Sequence, residues 1–452
     1  MVCDTMSDPR PVMLRGGWVI SLDPKIDDIA RADILIVAGR ISSIAPAIDT
    51  PDAEVIDADG MIVILGLVDT HRHAWQSCVR HRYADMEAGR YFAEMLGARG
   101  AAYRSEDARI GNLLGAVSAL EAGTTTMLDW SHVQNSPVRT GAAVSGLKDA
   151  GIRGVVGYGW PLIDGQSWIA ESQRVHPADI GRVRARYFAS DDQLLTLAMA
   201  GRGPEMTVRE VWQKDLQIAR DLGIRSIIHV GAYPHNARHN AVTQMYKADA
   251  LGDDITFVHC CCCDDDEIAM IADSGAMVSL GVHTEMVSQR IGDIPLDRLL
   301  AADVRPSLNG DTETKCCGDT FTQMRHLLAY YGSWIGSGHS RAKDAPAFLL
   351  TRDVLEFATI RGATALGLGH KIGTLSPGKQ ADIIMIRATD LNIMPVSDPV
   401  GAVVLGAHPG NVDSVFVAGG PVKRGGKMIR NDLDRIRADA VASQDYVLEA
   451  HV

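Results

Sequence analysis

The chain has 452 residues, of which 44 are basic and 56 acidic, giving a formal charge of −12, and 46% are apolar. This is the balance of an ordinary globular protein of two or three domains, and acidity without a basic cluster excludes nucleic acid as a partner, because phosphate binding needs grouped Lys and Arg. Apolar stretches such as Met61–Leu65 fall far short of the ~20 residues that span a bilayer, and residues 1–15 have no apolar signal segment, so no membrane partner and a cytoplasmic location are expected.

Short strands open the chain. Arg15–Leu22, Asp33–Val37, Arg40–Ile44 and Glu54–Asp57 are apolar or alternating runs, separated by Asp-Pro, Ala-Gly-Arg and Ala-Asp-Gly turns. A different rhythm follows, in which strands alternate with helices. The strands are Ile64–Asp69, Thr125–Asp129, Gly154–Tyr158, Leu194–Met199, Ser226–Val230, Thr256–Cys260, Met277–Leu280 and Arg305–Leu308. Helical patterns between them include Ser105–Ala122, Val138–Ala150, Thr207–Leu222, Asn240–Ala250, Asp264–Ser274 and Leu296–Ala302. Several end at a glycine C-cap, at Gly123, Gly151, Gly223 and Gly275. The tail returns to strands at Ala381–Arg387, Val400–Leu405, Val412–Val417 and Lys427–Ile429, before a polar helix from about Asp432 to Leu448.

Eight strands with intervening helices predict an α/β fold with a (β/α)8 TIM-type barrel over residues 65–372. The flanking segments, 1–64 and 373–452, are expected to build one small β-sandwich from both termini. No Gly-x-Gly-x-x-Gly follows the first barrel strand, which argues against a dinucleotide fold. Eight cysteines stand at Cys3, Cys78, Cys260 to Cys263, Cys316 and Cys317. Four in a row make no disulfide framework, and Cys260-x-x-Cys263 has no second half at zinc-ribbon spacing, so small buried positions at a strand end are expected.

Barrel chemistry gathers at the C-terminal ends of the strands. The first strand runs into His71-Arg72-His73, and residues i and i+2 of an extended segment face the same way, so the two histidines can share a metal. The fifth strand ends at His229, the sixth at His259, and Asp311 follows the eighth. Imidazoles with a carboxylate suit zinc or a similar borderline metal that keeps a position open for water.

These residues and their surroundings resemble the amidohydrolase superfamily, in its cytosine-deaminase-like and triazine-hydrolase-like branch. The resemblance rests on Val55-Ile-Asp-Ala-Asp-Gly60, Gly66-Leu-Val-Asp-Thr-His-Arg-His73 and Glu121-Ala-Gly-Thr-Thr-Thr126. Further along it rests on Phe257-Val-His-Cys260, Ala363-Thr-Ala-Leu-Gly367 and Gly373-Thr-Leu-Ser-Pro-Gly-Lys-Gln-Ala-Asp382. It implies one divalent metal ion per subunit held by His71, His73, His229 and Asp311, zinc first, with iron, manganese or cobalt also suited. His259 would stand beside the ion and polarise the substrate, and Asp311 would take the proton of water. The implied activity is hydrolysis of a C–N bond, foremost deamination of a small amino-substituted N-heterocycle such as a pyrimidine, purine or triazine. Amide, urea or carbamate hydrolysis is the second reading, and a non-catalytic binding protein on the same barrel the third. Homo-oligomers are expected by the same analogy. No lysine stands near Leu194–Met199, which argues against a two-metal site.

Two departures from the family pattern stand out. Ala232 occupies the place where such deaminases carry a glutamate, three residues after the fifth-strand histidine, with His235 and His239 as possible substitutes. After the seventh strand the text is His283-Thr-Glu285, so Glu285 is either a second catalytic acid or an exposed loop carboxylate. Trp75, Gln76, Trp130, His132 and His283 are candidate substrate-binding residues, with Tyr158 and Trp160 nearby. Their aromatic rings either form a pocket for a flat ring or cap the barrel core.

Overall fold

The structure is a computed structural model that describes residues 10–288, 291–340 and 342–449, so Cys3 lies outside the described residues. Its strands in chain order begin with β1 (Val12–Ile20), β2 (Ile29–Val37), β3 (Arg40–Ala45), β4 (Glu54–Asp57) and β5 (Met61–Leu65). The barrel follows with β6 (Leu67–Arg72), β7 (Thr124–Ser131), β8 (Arg153–Tyr158), β9 (Leu195–Gly201), β10 (Arg225–Val230), β11 (Ile255–His259), β12 (Met277–Leu280) and β13 (Ser307–Leu308). The tail supplies β14 (Ile383–Arg387), β15 (Val412–Val417), β16 (Gly420–Arg424) and β17 (Lys427–Met428).

β6 to β13 form one parallel sheet in sequence order. The sheet closes where a parallel bridge joins Arg72 to Asp311: the His73 amide donates to the Asp311 carbonyl at 2.8 Å, and the Asp311 amide to the His71 carbonyl at 3.0 Å. The closing hydrogen bonds therefore run through candidate metal ligands themselves. Inside, Val68, Leu128, Ala198, Ala200, Ile227 and Val258 pack with Trp130 and Trp160. Such strands, buried on both faces, read as apolar runs because inside and outside are both dry.

The two termini meet in a second, mixed sheet of nine strands. Its centre is β5, parallel to β1 on one side and antiparallel to β14 on the other, with Ile64 opposite Ile384. The expected strand Ile64–Asp69 is divided by Gly66 between the two sheets, its amide bonding the Asp382 carbonyl at 2.9 Å. A Cβ at Gly66 would stand 2.0 Å from the Thr125 hydroxyl, so no other residue fits the crossing. Val400–Leu405 is not a strand. Asp398 accepts from the Val400 amide at 3.0 Å and Pro399 starts a helical turn, so a capping signal prevails over an apolar run. β16 was unforeseen because Gly420-Pro421 reads as a turn; it pairs with β15 across Ala418-Gly419, both at positive φ. No helix among the described residues is long and apolar enough to cross a membrane.

Asp382, the last residue of the tail motif, locks the two sheets together. Its carboxylate accepts two bonds from the buried Arg153 guanidinium of β8, at 2.7 and 2.9 Å, and one from the Ala418 amide at 2.7 Å. Removing one partner strands the other charge in a dry place, which costs about 3–5 kcal/mol. Asp382→Ala should lose stability of that order in urea denaturation, whereas a change under 1 kcal/mol would show that the pair does not join the two units.

Candidate active site

The site begins with the end of β6. Arg72, between the two histidines, is turned away and fully enclosed: its guanidinium bonds Asp69 at 2.8 Å, Glu313 at 3.4 Å and the Gly318 carbonyl. Asp69 also accepts from the amides of His71 (3.2 Å) and Gly310 (3.1 Å), and Glu313 from Ser77 (2.7 Å) and Arg80 (3.0 Å). This ionic web ties the loop after β13 to the end of β6 and leaves His71 and His73 facing inward. Sequence reasoning did not single out Asp69, Arg72 or Glu313, although the acid–base alternation of Asp69-Thr-His-Arg-His73 was its trace.

His71, His73 and His229 bring their ring nitrogens within 4.8 Å of one another. The Nε2 atoms of His71 and His229 are 3.1 Å apart, and Asp311 Oδ1 is 3.5 Å from Nε2 of both His71 and His73. The Trp130 carbonyl accepts the Nδ1 proton of His73 at 2.9 Å, which leaves Nε2 with its lone pair towards the cluster. Burial, with the charge of His71 added, drives the His73 imidazole down to about 4, and burial also holds His229 well below its ordinary value. Imidazole lone pairs that converge on one point repel one another unless a cation lies between them. The donor set therefore fits a divalent metal, with nitrogen and oxygen ligands of the kind zinc takes.

His259 and Asp311 hold left-handed backbones, with φ of +79° and +47°. Such strain is found where surrounding structure over-determines a residue, and here it aims two strand-end side chains inward. Burial raises the Asp311 carboxyl, but its bond to His71 and the nearby His259 and His73 outweigh that and hold it below the ordinary carboxylate range.

Glu285 is no exposed loop carboxylate: it is 5% exposed, on the short helix Val282–Val287. Its Oε1 accepts the Nδ1 proton of His259 at 3.0 Å and the Gly281 amide at 2.9 Å. Burial disfavours the charged His259 ring, yet the bond to Glu285 and its charge raise the imidazole above its ordinary value.

The candidate substrate-binding residues fall into two groups. Trp75 and Trp130 have no exposed surface. Trp75 packs edge-on to Tyr103, and Trp130 lies under the histidines, its ring 4.4 Å from that of His229 and its N–H on the Ile227 carbonyl. His132 is buried beside His73, ring centroids 4.8 Å apart, and Trp160 closes the same layer. Gln76 is enclosed as well, bridging the Tyr91 hydroxyl (2.8 Å) and Thr312 (2.7 Å), next to Asp311. His283 is half-buried, accepts from the Cys317 amide at 3.2 Å and packs against His326. Tyr158 points away from the barrel interior, towards Asp179. His235 is exposed, stacked on Tyr233.

The sequence did not foretell Tyr91 and Phe92, where the helical turn Ala88–Tyr91 continues as a π-helical stretch, Phe92–Arg99. Gly89 and Gly97 had hidden that pattern. Phe92 meets Tyr233 at 6.0 Å, so the loops after β6 and β10 face each other across the mouth. The cysteines from Cys260 to Cys263 are free thiols in the turn after β11, three of them buried.

Comparison with known proteins is consistent with this architecture. The Amidohydrolase family matches residues 62–422. A 5-methylthioadenosine/S-adenosylhomocysteine deaminase of Symbiobacterium thermophilum is 27% identical over 428 residues, covering 90% of this chain and 92% of its own. A 5′-deoxyadenosine deaminase of Methanosarcina mazei is 25% identical over 423 residues, covering 90% and 91%. Among solved structures, an adenosine deaminase from Xanthomonas campestris with bound zinc superposes with a TM-score of 0.84 at 18% identity, over 97% of this chain and 98% of that one. The atrazine chlorohydrolase of Arthrobacter aurescens complexed with zinc gives a TM-score of 0.84 at 20% identity, over 96% and 100%. A match that runs from β5 through the barrel into β16, on a chain whose strand ends carry these histidines and Asp311, places the protein in the amidohydrolase family.

Proposed function

We propose that this protein is a metal-dependent hydrolase that deaminates an amino-substituted N-heterocycle, with adenine nucleosides altered at the 5′ position as the first class to test. The observation that carries the reading is the convergence of His71, His73, His229 and Asp311 at one end of the barrel. The names of the relatives favour an adenine ring. One divalent ion per subunit, zinc first, would be held by these four residues, and it would lower the pKa of water from about 15.7 towards 7.

The chain's own residues supply the rest. Asp311, ionised and directed at the cluster, accepts the proton of the attacking water. His259, its Nδ1 proton held by Glu285, presents Nε2 to the substrate and donates towards the charge that develops on the oxygen at the attacked carbon. Glu285 acts through His259 and is a positioning residue. Gln76 and His132 support the floor and the loop beside Asp311. A cytoplasmic location accords with free thiols, and a homo-oligomer is the assembly expected of related barrels.

Amide, urea or carbamate hydrolysis is the second reading, favoured by Ala232, which has no proton to offer a ring nitrogen. Ammonia release from 5′-deoxyadenosine, methylthioadenosine, cytosine and aminotriazines, set against aryl amides, ureas and carbamates, separates the two. Turnover confined to the second set would replace deamination with amide-type hydrolysis. Glu285→Gln keeps an acceptor for His259 but removes the charge. It should lower kcat about 10–100-fold with KM little changed, and wild-type kcat in that variant would deny the His259–Glu285 pair its role.

A further inference from the structure

We infer that Glu205 is the carboxyl that exchanges protons with the substrate ring, reaching from the loop after β9 to the strand end that Ala232 leaves without an acid. The inference rests on the deaminase reading above and deepens it. A ring amidine cannot lose its amine unless the ring nitrogen gains a proton as oxygen bonds to carbon; Ala232 has none to give, and the imidazoles of the cluster would be engaged by the ion.

The backbone shows how Glu205 arrives. β9 ends at Gly201, and residues 203–207 turn tightly, with the Met206 and Thr207 amides both on the Gly203 carbonyl. This turn sends the Glu205 side chain across to the next strand end, where Oε1 accepts the Gly231 amide at 2.7 Å. Gly231 follows β10 directly, lies two residues beyond His229 and precedes Ala232. On its other side the β10 end is bonded to the turn after β11, the Cys260 amide on the Val230 carbonyl at 2.9 Å and the Cys262 amide on the Gly231 carbonyl at 2.7 Å. The carboxyl thus takes the place of the next β9 residue in the ladder, one peptide away from the position where a glutamate at 232 would begin. Glu205 is half-buried, and its second oxygen has no hydrogen-bond partner among the described residues. His235 and His239, the alternatives that the sequence offered, lie farther along the same loop, exposed or half-exposed.

The surroundings suit a group that must both give and take a proton. The titratable groups around Glu205 are Glu267, His259, Cys262 and Cys263. Burial pushes its carboxyl up to about 7, the Gly231 bond opposes this, Glu267 adds to it and His259 opposes it. An acid poised near the working pH transfers protons most effectively in both directions.

As the oxygen of water bonds to the ring carbon, one water proton passes to Asp311 and the Glu205 proton passes to the ring nitrogen. As the C–N bond breaks, the proton on Asp311 goes to the leaving amine, and the remaining hydroxyl proton returns to Glu205. The ring N=C–NH2 and water become HN–C=O and ammonia.

The test uses the metal-loaded full chain with 5′-deoxyadenosine. In Glu205→Gln the amide oxygen still accepts from Gly231, so the fold is retained. The expected result is a fall in kcat of about 10²–10⁴-fold with metal content and thermal unfolding unchanged, and loss of the pH-rate limb near 7. Independently of activity, carbon NMR of labelled glutamate side chains should show one carboxyl titrating near 7 that is absent from the variant. Adding Ala232→Glu to Glu205→Gln should restore turnover at least tenfold. Wild-type kcat and pH profile in Glu205→Gln would overturn the assignment while leaving the deaminase reading intact, and so would loss of bound metal together with activity. A wild-type enzyme that titrates a carboxyl near 7 but releases no ammonia from any heterocycle would overturn both.

Discussion

Asp311→Asn is expected to lower kcat about 10⁴-fold, at the upper end of what a positioned acid or base contributes, without unfolding the protein. Asparagine is close to isosteric with aspartate and is among the few residues that tolerate a left-handed backbone, so φ of +47° at this position is no obstacle. The backbone bonds that close the barrel, between residue 311 and the amide of His73 and the carbonyl of His71, need no carboxylate. The charge is what disappears. Oδ1, at 3.5 Å from an imidazole nitrogen of both His71 and His73, is the carboxylate oxygen at the cluster, and the imidazole lone pairs that converge beside it would be taken up by the ion. Steady-state kinetics beside circular dichroism and metal analysis check this. A variant that retained more than a tenth of wild-type kcat would remove Asp311 from the proton-accepting role.

His71→Ala should reduce bound metal at least tenfold and abolish measurable turnover. His71 is the central ligand: its Nε2 lies 3.1 Å from His229 and 3.5 Å from Asp311, and its ring packs edge-on to both His73 and His229 at under 5 Å. Without it the remaining nitrogens keep no common partner. Loss of the ion also removes the stabilisation that binding contributes, about 4 kcal/mol when metal stands at a thousand times its Kd. Chelation of the wild-type protein should therefore lower its Tm, and the His71→Ala variant should melt at the same temperature with or without chelator. Full turnover and stoichiometric metal in that variant would show that the cluster is not the metal centre.

Much of this was legible in the sequence, for identifiable reasons. The barrel strands are buried on both faces and bounded by helices that end in glycine. Gly123, Gly151, Gly223 and Gly275 all adopt the left-handed φ expected of such caps. The histidines of the cluster were legible because strand ends are where a barrel concentrates chemistry. Glu285 was left open between two roles, since its burial depends on the turn from β12 into a short helix that local pattern does not foretell. Glu205 and Tyr91 were not singled out. Each enters from a loop, through a turn or π-helical stretch with no periodicity, and each is defined by a partner, Gly231 or Gln76, remote from it in the chain. Val400–Leu405 shows the opposite failure, an apolar run that a single Asp-Pro cap turned into helix.

In the proposed function one metal, held by three histidines and Asp311, powers release of ammonia from a heterocycle. Its most direct test is ammonia release from 5′-deoxyadenosine by the same preparation stripped of metal and then reloaded with zinc. No release is expected from the stripped protein, and release should rise in proportion to bound zinc until one ion per chain is reached. Release that was undiminished after stripping, or absent at one zinc per chain across the heterocycle panel, would contradict it.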